Sequence, residues 1–442
     1  MVDFPAGIPD IPDANPSETL AVMHAGLGHS PVTNRILLNL EQLAAKLGTG
    51  ASTPGATAAV LRRTAANVSA WGALQPTDIT PGTAGYVLQT GAAANPLWVP
   101  WARKNLLLNG QMKIHQRAAL SSGKTTVDWS YQTTDRWKTV WDSAGVAGTV
   151  YAYPLGPPPI NARSILLQSQ GNTAKFGMVQ VLEAIDTAPL LGQVVSVQAN
   201  IVSAGSFSDI RMALLSWSGT GDAPTDPIGT WNASGANPSP SANWGFIGVP
   251  ANLGVTAAPQ VFRIENQVVP TNCQNLAVIL WSNSAVNTAG NSWYVTDVQL
   301  ELGTACSAVE RVPWALEHQL CQRYYEKSYQ PADPPGTNGG LGGEMIYHLN
   351  PVGAATAGNG WISNTPRFRV QKRTTPTVAL YHSTGALNTL NYGGTTPRAG
   401  VTLGVPSTNA PCGYLAMDAT AGTPAVSAGV QSYFQWTADA EL

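Results

Sequence analysis

The chain is 442 residues long, with 23 Lys and Arg against 25 Asp and Glu, a net charge of −2 and a charged share of only 11%. No basic excess is available to neutralise phosphates, so a nucleic-acid partner is excluded. The 44 glycines and 33 prolines punctuate the chain into short elements, which favours β-sheet over long helices. Apolar runs such as Leu276 to Trp281 are too short to cross a bilayer, and MVDFPAGIPD lacks the basic start and apolar core of a signal peptide. The expectation is synthesis in a cytoplasm, without membrane insertion. Sparse charge fits three situations: surface buried between subunits, a neutral polar partner such as a sugar, or a loop-rich soluble protein.

Residues 1–28 are rich in Pro, Ala and Gly without periodicity, which reads as an extended arm for docking on another protein. A helix is expected over 29–48. Ser30 suits the N-cap, Pro31 the first helical position and Gly48 the end. Inside it, Ile36, Leu40, Leu43 and Leu47 are spaced four, three, four, an a/d seam of about two heptads. Such a seam joins sister helices as a short coiled coil or packs the helix on its own chain.

Over 49–103 the sequence repeats itself. PGATAAVLRRTAANVSAW begins at Pro54 and PGTAGYVLQTGAAANPLW at Pro81, so that Val60, Leu61 and Trp71 match Val87, Leu88 and Trp98. Each unit offers one short apolar strand, a small-residue turn and a tryptophan. Units this small cannot bury their own apolar face and must stack on neighbours or on copies from other chains. Three chains around an axis would satisfy them and cover the strand edges. The PGTAGYVL…W pattern resembles short repeats in the stalks of phage tail fibres. That resemblance implies a slender trimeric shaft.

From 104 to 330 the periodicity changes to two. Val195, Val197, Ala199 and Ile201 alternate with polar residues, and Tyr294, Thr296, Val298 and Leu300 are expected to share one face. Eight to ten short strands suggest a two-sheet sandwich of the jelly-roll type. NLLLNGQMKIHQR (from Asn105), YQTTDRW (from Tyr131) and VQLELGTACSAVERVPWALEHQLCQRYYEKSY (from Val298) occur in an order that resembles the carbohydrate-binding-module-like sandwich of phage tail fibre and minor tail proteins. The resemblance implies a sandwich displayed on a virion. Asp135 and Arg136 are expected to pair beside a buried Trp137. Leu316, Leu320, Tyr324 and Lys327 fit one helix whose apolar face caps a sheet.

The segment Trp217 to Trp244 is long and polar apart from Trp217, Trp231 and Trp244. Aromatic rings stack on the apolar faces of sugars, and Asp222, Asp226, Asn232 and Asn243 could accept hydroxyl hydrogens. The candidate glycan contacts are therefore Trp217, Asp222, Trp231, Asn232 and Trp244. The competing reading is that the tryptophans pin the loop to the sandwich.

Residues 331–442 are read as a smaller C-terminal β domain, with Phe434 and Trp436 facing inward on a last strand. RTTPTV and ADAEL resemble the ends of the same tail proteins. The basic patch Arg369, Lys372 and Arg373 is expected to be a solvated loop. Cys273, Cys306, Cys321 and Cys412 are far apart, and the six histidines lack ligand spacing, so no metal or cofactor is indicated. No HExxH, GxSxG, P-loop or dinucleotide fingerprint occurs, so no catalytic residue is assigned.

The sequence thus reads as a mainly β homotrimer with a jelly-roll-like sandwich, a non-enzymatic phage tail protein. Its expected partners are other tail or baseplate proteins, through the N-terminal arm, and a host cell-surface polysaccharide. The alternatives are a glycan-degrading tailspike, since two carboxylates suffice for a glycosidase, and a purely structural tail component.

Overall fold

The computed structural model describes four strands between residues 59 and 100, and then the chain from 103 to 442 apart from residues 143–146, 155–162, 172–174, 206, 208, 285–287, 338–344, 349–359, 362–366, 393–395, 399–400, 404–407, 409–413 and 418–430. The expected arm at 1–28 and the helix at 29–48 with Ile36, Leu40, Leu43 and Leu47 lie outside the described residues. Two compact units result, Met1–Ala102 and Arg103–Leu442.

In the first unit, β1 (Ala59–Ala65) pairs antiparallel with β2 (Val68–Ala73), and β3 (Tyr86–Thr90) with β4 (Pro96–Pro100). Leu61 stands opposite Trp71, and Leu88 opposite Trp98. Each sequence unit is therefore two strands rather than one, with the tryptophan on the second.

The second unit opens with the short strands β5 (Lys124–Thr125) and β6 (Ser130–Tyr131), then β7 (Lys138–Trp141), β8 (Thr149–Tyr153), β9 (Ser164–Gln168) and β10 (Phe176–Val181). A short helix α1 (Ala184–Thr187) leads to β11 (Val194–Ala204) and β12 (Ile210–Trp217). The small pair β13 (Ile228–Thr230) and β14 (Ser239–Pro240) precedes β15 (Trp244–Ile247), β16 (Gln260–Val268), β17 (Asn275–Ser282) and β18 (Ser292–Leu302). Twelve of these form two six-stranded antiparallel sheets. The first runs β15-β12-β17-β10-β7-β6 and the second β16-β11-β18-β9-β8-β5.

The core lies between them. Phe176 and Met178, Ile210, Met212 and Leu214, and Leu276, Val278 and Leu280 meet Val195, Val197, Ala199 and Ile201 together with Ile165, Leu167, Trp293 and Val295. The period-two pattern of β11 is realised as read. That of β18 is not. Asp297 adopts a left-handed conformation (φ 52°), and the pairing with β11 shifts between Gln198 and Asn200. A bulge of this kind flips the side chains beyond it to the opposite face. Trp293 and Val295 therefore join Val298 and Leu300 in the core, while Tyr294 and Thr296 turn outward.

The first sheet is buried on both faces. Val140, Val179, Val181, Ala213, Leu215, Ala277, Ile279 and Trp281 form a second apolar cluster on its outer side, completed by Trp217, Ile228 and Trp244. This explains why NLAVILWS of β17 is apolar almost throughout: all eight residues are buried.

Helix α2 (Trp314–Gln322) presents the opposite face from the one expected. Glu317 and Cys321 point inward, whereas Leu316 is 47% exposed. Glu317 is tolerated inside because it accepts from the Asn109 N–H and pairs with Arg103. Tyr324 and Lys327 lie beyond this helix, and Tyr325–Lys327 forms β19. The remaining strands are β20 (Met345–His348), β21 (Gly360–Trp361), β22 (Thr377–Tyr381), β23 (Leu390–Tyr392), β24 (Thr396–Arg398), β25 (Val401–Leu403), β26 (Tyr414–Met417) and β27 (Gln431–Asp439). β27 is the hub, pairing with β19, β20, β22 and β23. Phe434 and Trp436 are buried on it. Because β19 pairs with β27, the chain is not divided at residue 330, and 103–442 is one compact unit. Of the basic patch, Arg369 is exposed as expected and Arg373 is half-buried. Lys372 is buried on Glu326 and the Gln322 carbonyl, and Arg373 donates to the carbonyls of Ala440 and Glu441. Cys273, Cys306 and Cys321 are free thiols, and no helix among the described residues is long and apolar enough to cross a membrane.

Candidate ligand-binding surfaces

The Trp217–Trp244 segment folds back over the outer face of the first sheet. Trp217 and Trp244 are 5% and 7% exposed, and their rings meet at 5.3 Å between centroids. Each indole N–H is consumed locally, Trp217 donating to the Thr220 carbonyl (2.8 Å) and Trp244 to that of Thr225 (2.9 Å). Neither ring is free to stack on a sugar, which corrects the expectation for these two residues. Asp222, at φ 58°, also serves the fold. Its carboxylate accepts from the Ala184 N–H (2.7 Å) at the start of α1 and from Asn275 Nδ2 (3.0 Å). The Asn232 side chain donates to the Asn237 carbonyl and to Ser239 Oγ, and the Asn232 backbone carbonyl accepts from Lys175 Nζ. Arg211, held by Asp209 through two 2.8 Å bonds, reaches the Gly235 carbonyl and Asn237. The loop is a fastened cover, and Trp231, half-buried on the cluster, is the tryptophan of the three that keeps substantial exposure.

Asp226, on this cover, lies within electrostatic reach of Asp128, in the turn before β6. Burial, reinforced by the Asp128 carboxyl, pushes Asp226 up to about 7. Lys138 Nζ stands 3.7 Å from the Trp129 ring centroid, and burial pushes this ammonium down to about 8.

The signature segments form an internal joint. Asp135 does not pair with Arg136. It accepts from the Gln116 N–H (2.8 Å) and Gln116 Nε2 (2.6 Å). Arg136 reaches Glu441 and the Val181 carbonyl, with its guanidinium 3.6 Å over the Tyr324 ring. Trp137 is buried and donates to the Asn109 carbonyl. Asn109 closes its own loop by bonding both groups of Ile114 and the Asp135 carbonyl.

The outer face of the second sheet differs from that of the first. In register across it stand Tyr151, Leu166, Tyr294 and Val202, and one step along, Tyr153, Ser164 and then Thr296 beside Asn200. Tyr153 and Tyr294 meet edge to face at 5.6 Å, and Tyr151 and Tyr153 remain half-buried on this row. Thr296 donates to the Arg163 carbonyl (2.7 Å). Ser164 Oγ and Asn200 Oδ1 are buried atoms that find no hydrogen-bond partner among the described residues. An apolar aromatic floor with convergent polar atoms is the ordinary composition of a small-ligand site. Sequence reading misses it because the plain alternation puts Tyr294 on the same face as Val298 and Leu300. The signal that could have found it is the YxY alternation of β8.

The other end of this face is closed. Gln198 donates to the Ser307 carbonyl (2.6 Å), and Glu301 accepts from the N–H of Ser307 (2.7 Å) and from its hydroxyl.

No protein-family model and no curated protein matches the chain. Among solved structures it is similar to the enzymatically active domain of tailspike protein 4 from bacteriophage CBA120, at 11% identity and TM-score 0.24, over 45% of this chain and 21% of that one. It is also similar to a CBM4 structure (12% identity, TM-score 0.26, 44% of this chain and 98% of that one). A third is a xylan-binding domain from CBM 22 (8% identity, TM-score 0.25, 43% and 99%).

Proposed function

We propose that this chain is a glycan-binding structural component of a phage tail, whose sandwich attaches the virion to a host cell-surface polysaccharide without cleaving it. The observation that carries the reading is the outer face of the second sheet. Tyr151, Tyr153 and Tyr294 supply a stacking floor. Asn200 Oδ1 and Ser164 Oγ lack partners, and buried polar atoms left in that state are costly unless a ligand or water meets them. Sugars present both an apolar ring face and hydroxyl donors, which suits this pairing of groups. Trp231 and Asn232 on the first-sheet cover are a subsidiary contact in the same reading.

Single sugar contacts are weak, of the order of millimolar. Three linked copies raise the effective concentration and hence the avidity. The proposed assembly is accordingly a homotrimer, joined through the seam at Ile36, Leu40, Leu43 and Leu47 and the repeats that follow. Its arm at 1–28 would dock on other tail or baseplate proteins.

The test is binding to host cells and to a glycan array by the full chain and by Tyr151→Ala, Tyr153→Ala and Asn200→Ala. Binding should be lost in these variants and retained in Trp217→Phe. Unchanged binding in all three would remove the second-sheet face from consideration. Release of new reducing ends from host polysaccharide would replace adhesion by depolymerisation. Light scattering that returns a single-chain mass would end the trimer.

A further inference from the structure

We propose that Trp129 and Lys138, on the outer side of the first sheet, form a second saccharide subsite, which takes a neutral sugar. The proposal rests on the glycan-binding reading above but not on the tyrosine floor, which belongs to the other sheet.

Lys138 is 6% exposed. Its Nζ stands 3.7 Å from the Trp129 ring centroid and 5.2 Å from that of Tyr131. It makes no hydrogen bond and no salt bridge among the described residues. The other deeply buried lysines are satisfied: Lys175 by the carbonyls of Asn232 and Ala233, Lys327 by those of Pro331 and Asp333, and Lys372 by Glu326 and the Gln322 carbonyl. Ring faces attract an ammonium by its charge but offer no lone pair to its three donors. A buried ammonium in that state calls for acceptors from outside the chain.

Trp129 is left-handed (φ 50°), a rare conformation for a bulky residue and one that gathers at ligand sites. Its turn is fastened on both sides. Ser130 Oγ and Thr139 Oγ1 hold the Val127 carbonyl, and Asp128 Oδ1 accepts the Trp141 N–H (2.9 Å). The half-buried indole is thus a fixed platform beside the ammonium, the pairing of stacking face and donor that a sugar ring with its hydroxyls requires.

The charges nearby decide the class of sugar. Glu441, Asp439 and Asp226 act on Lys138 against Arg136. Glu441 and Asp439 are already paired, with Arg136 and Arg117. Asp226 and the exposed Asp128 remain beside the platform. They would repel an acidic sugar, whereas hydroxyls accept from Nζ and donate to a carboxylate.

The test is acetic anhydride labelling of the full chain, read at Lys138 by peptide mass spectrometry, with glucose, galactose, mannose or N-acetylglucosamine present. At about 50 mM sugar, several times a weak millimolar-range constant, labelling at Lys138 should slow about fivefold for at least one of them. Labelling at the exposed Lys124 should not change, and Trp129→Ala should abolish the protection. Unslowed labelling in the natural chain overturns the subsite, whether or not the variant folds. So does protection that persists in folded Trp129→Ala, and stronger protection by glucuronate than by every neutral sugar overturns the neutral class. Protection at Lys138 in a chain that binds no host cell would sink the adhesion reading and leave the subsite standing. Cell binding without protection would do the reverse.

Discussion

The carboxylate of Glu441 lies against the guanidinium of Arg136, 305 residues earlier in the chain. Both side chains are almost fully buried. Arg117 joins from the side, pairing with Glu441 and with Asp439 and lying 3.6 Å over the Tyr325 ring. The end of β27 is thereby locked to the segment that opens the sandwich. Removing one partner of a buried pair strands the other charge. Glu441→Gln should therefore cost about 3–5 kcal/mol. Thermal melting checks this, and a change under 1 kcal/mol would mean that water reaches Arg136.

The Asn109–Gly110 step makes a second, backbone-level prediction. Asn109 is left-handed (φ 53°), which asparagine tolerates better than most residues. Gly110 passes so close to β18 that an added Cβ would fall 2.0 Å from the Val298 carbonyl oxygen. That oxygen already accepts from Asn105 Nδ2, and the Val298 N–H donates to the Gly110 carbonyl. Neither backbone can yield without breaking this exchange. Gly110→Ala should lose at least about 1–3 kcal/mol. Retained denaturant stability in that variant would show that the opening segment can move off β18.

These contacts show what the sequence made legible. The alternation in β11 gave its inner face correctly, because Val195 to Ile201 contains no irregular residue. In β18 one left-handed residue, Asp297, inverted the reading, and with it hid Tyr294 from view as a surface residue. Asp297 is held there by Arg311 and Gln111, contacts that local propensity cannot anticipate. The helix face failed for a related reason. Leu316 and Leu320 have the right spacing for an inward stripe, but Glu317 has partners in the half-buried Arg103 and the buried Asn109 that outweigh their hydrophobicity. The tryptophans of the cover were found by composition. Their burial follows from the outer apolar face of the first sheet, which became visible only once the strand order was known.

The cover makes a graded prediction. Trp217 and Trp244 fill the outer cluster, so replacing either by alanine should cost about 3–5 kcal/mol. Trp231 is half-buried, and its alanine variant should cost clearly less, about 1–2 kcal/mol. Chemical denaturation of the three variants ranks them. Equal losses would mean that Trp231 is as structural as its neighbours, and would withdraw it as a glycan contact.

Acid stability should depend on Glu183. Burial raises the pKa of its carboxyl, but the hydrogen bonds from Arg323 and Tyr324 more than offset this, and the net shift is downward. Arg323 contributes two 2.9 Å bonds to the two carboxylate oxygens. A depressed carboxyl stabilises the fold above its ordinary value of about 4.3, and that contribution is lost as pH falls through the folded value. Asp209 behaves alike, since the bonds from Arg211 and Asn283 outweigh its burial. The melting temperature of the natural chain should thus fall between pH 5 and pH 3. Glu183→Gln should start lower at pH 5, because a neutral amide holds Arg323 less firmly, and should fall less steeply, because one titrating group is gone. A variant whose melting curve parallels the natural one through this range would show that Arg323, which is 37% exposed at its side chain, is too well solvated for its bonds to matter, leaving Asp209 to carry the acid transition.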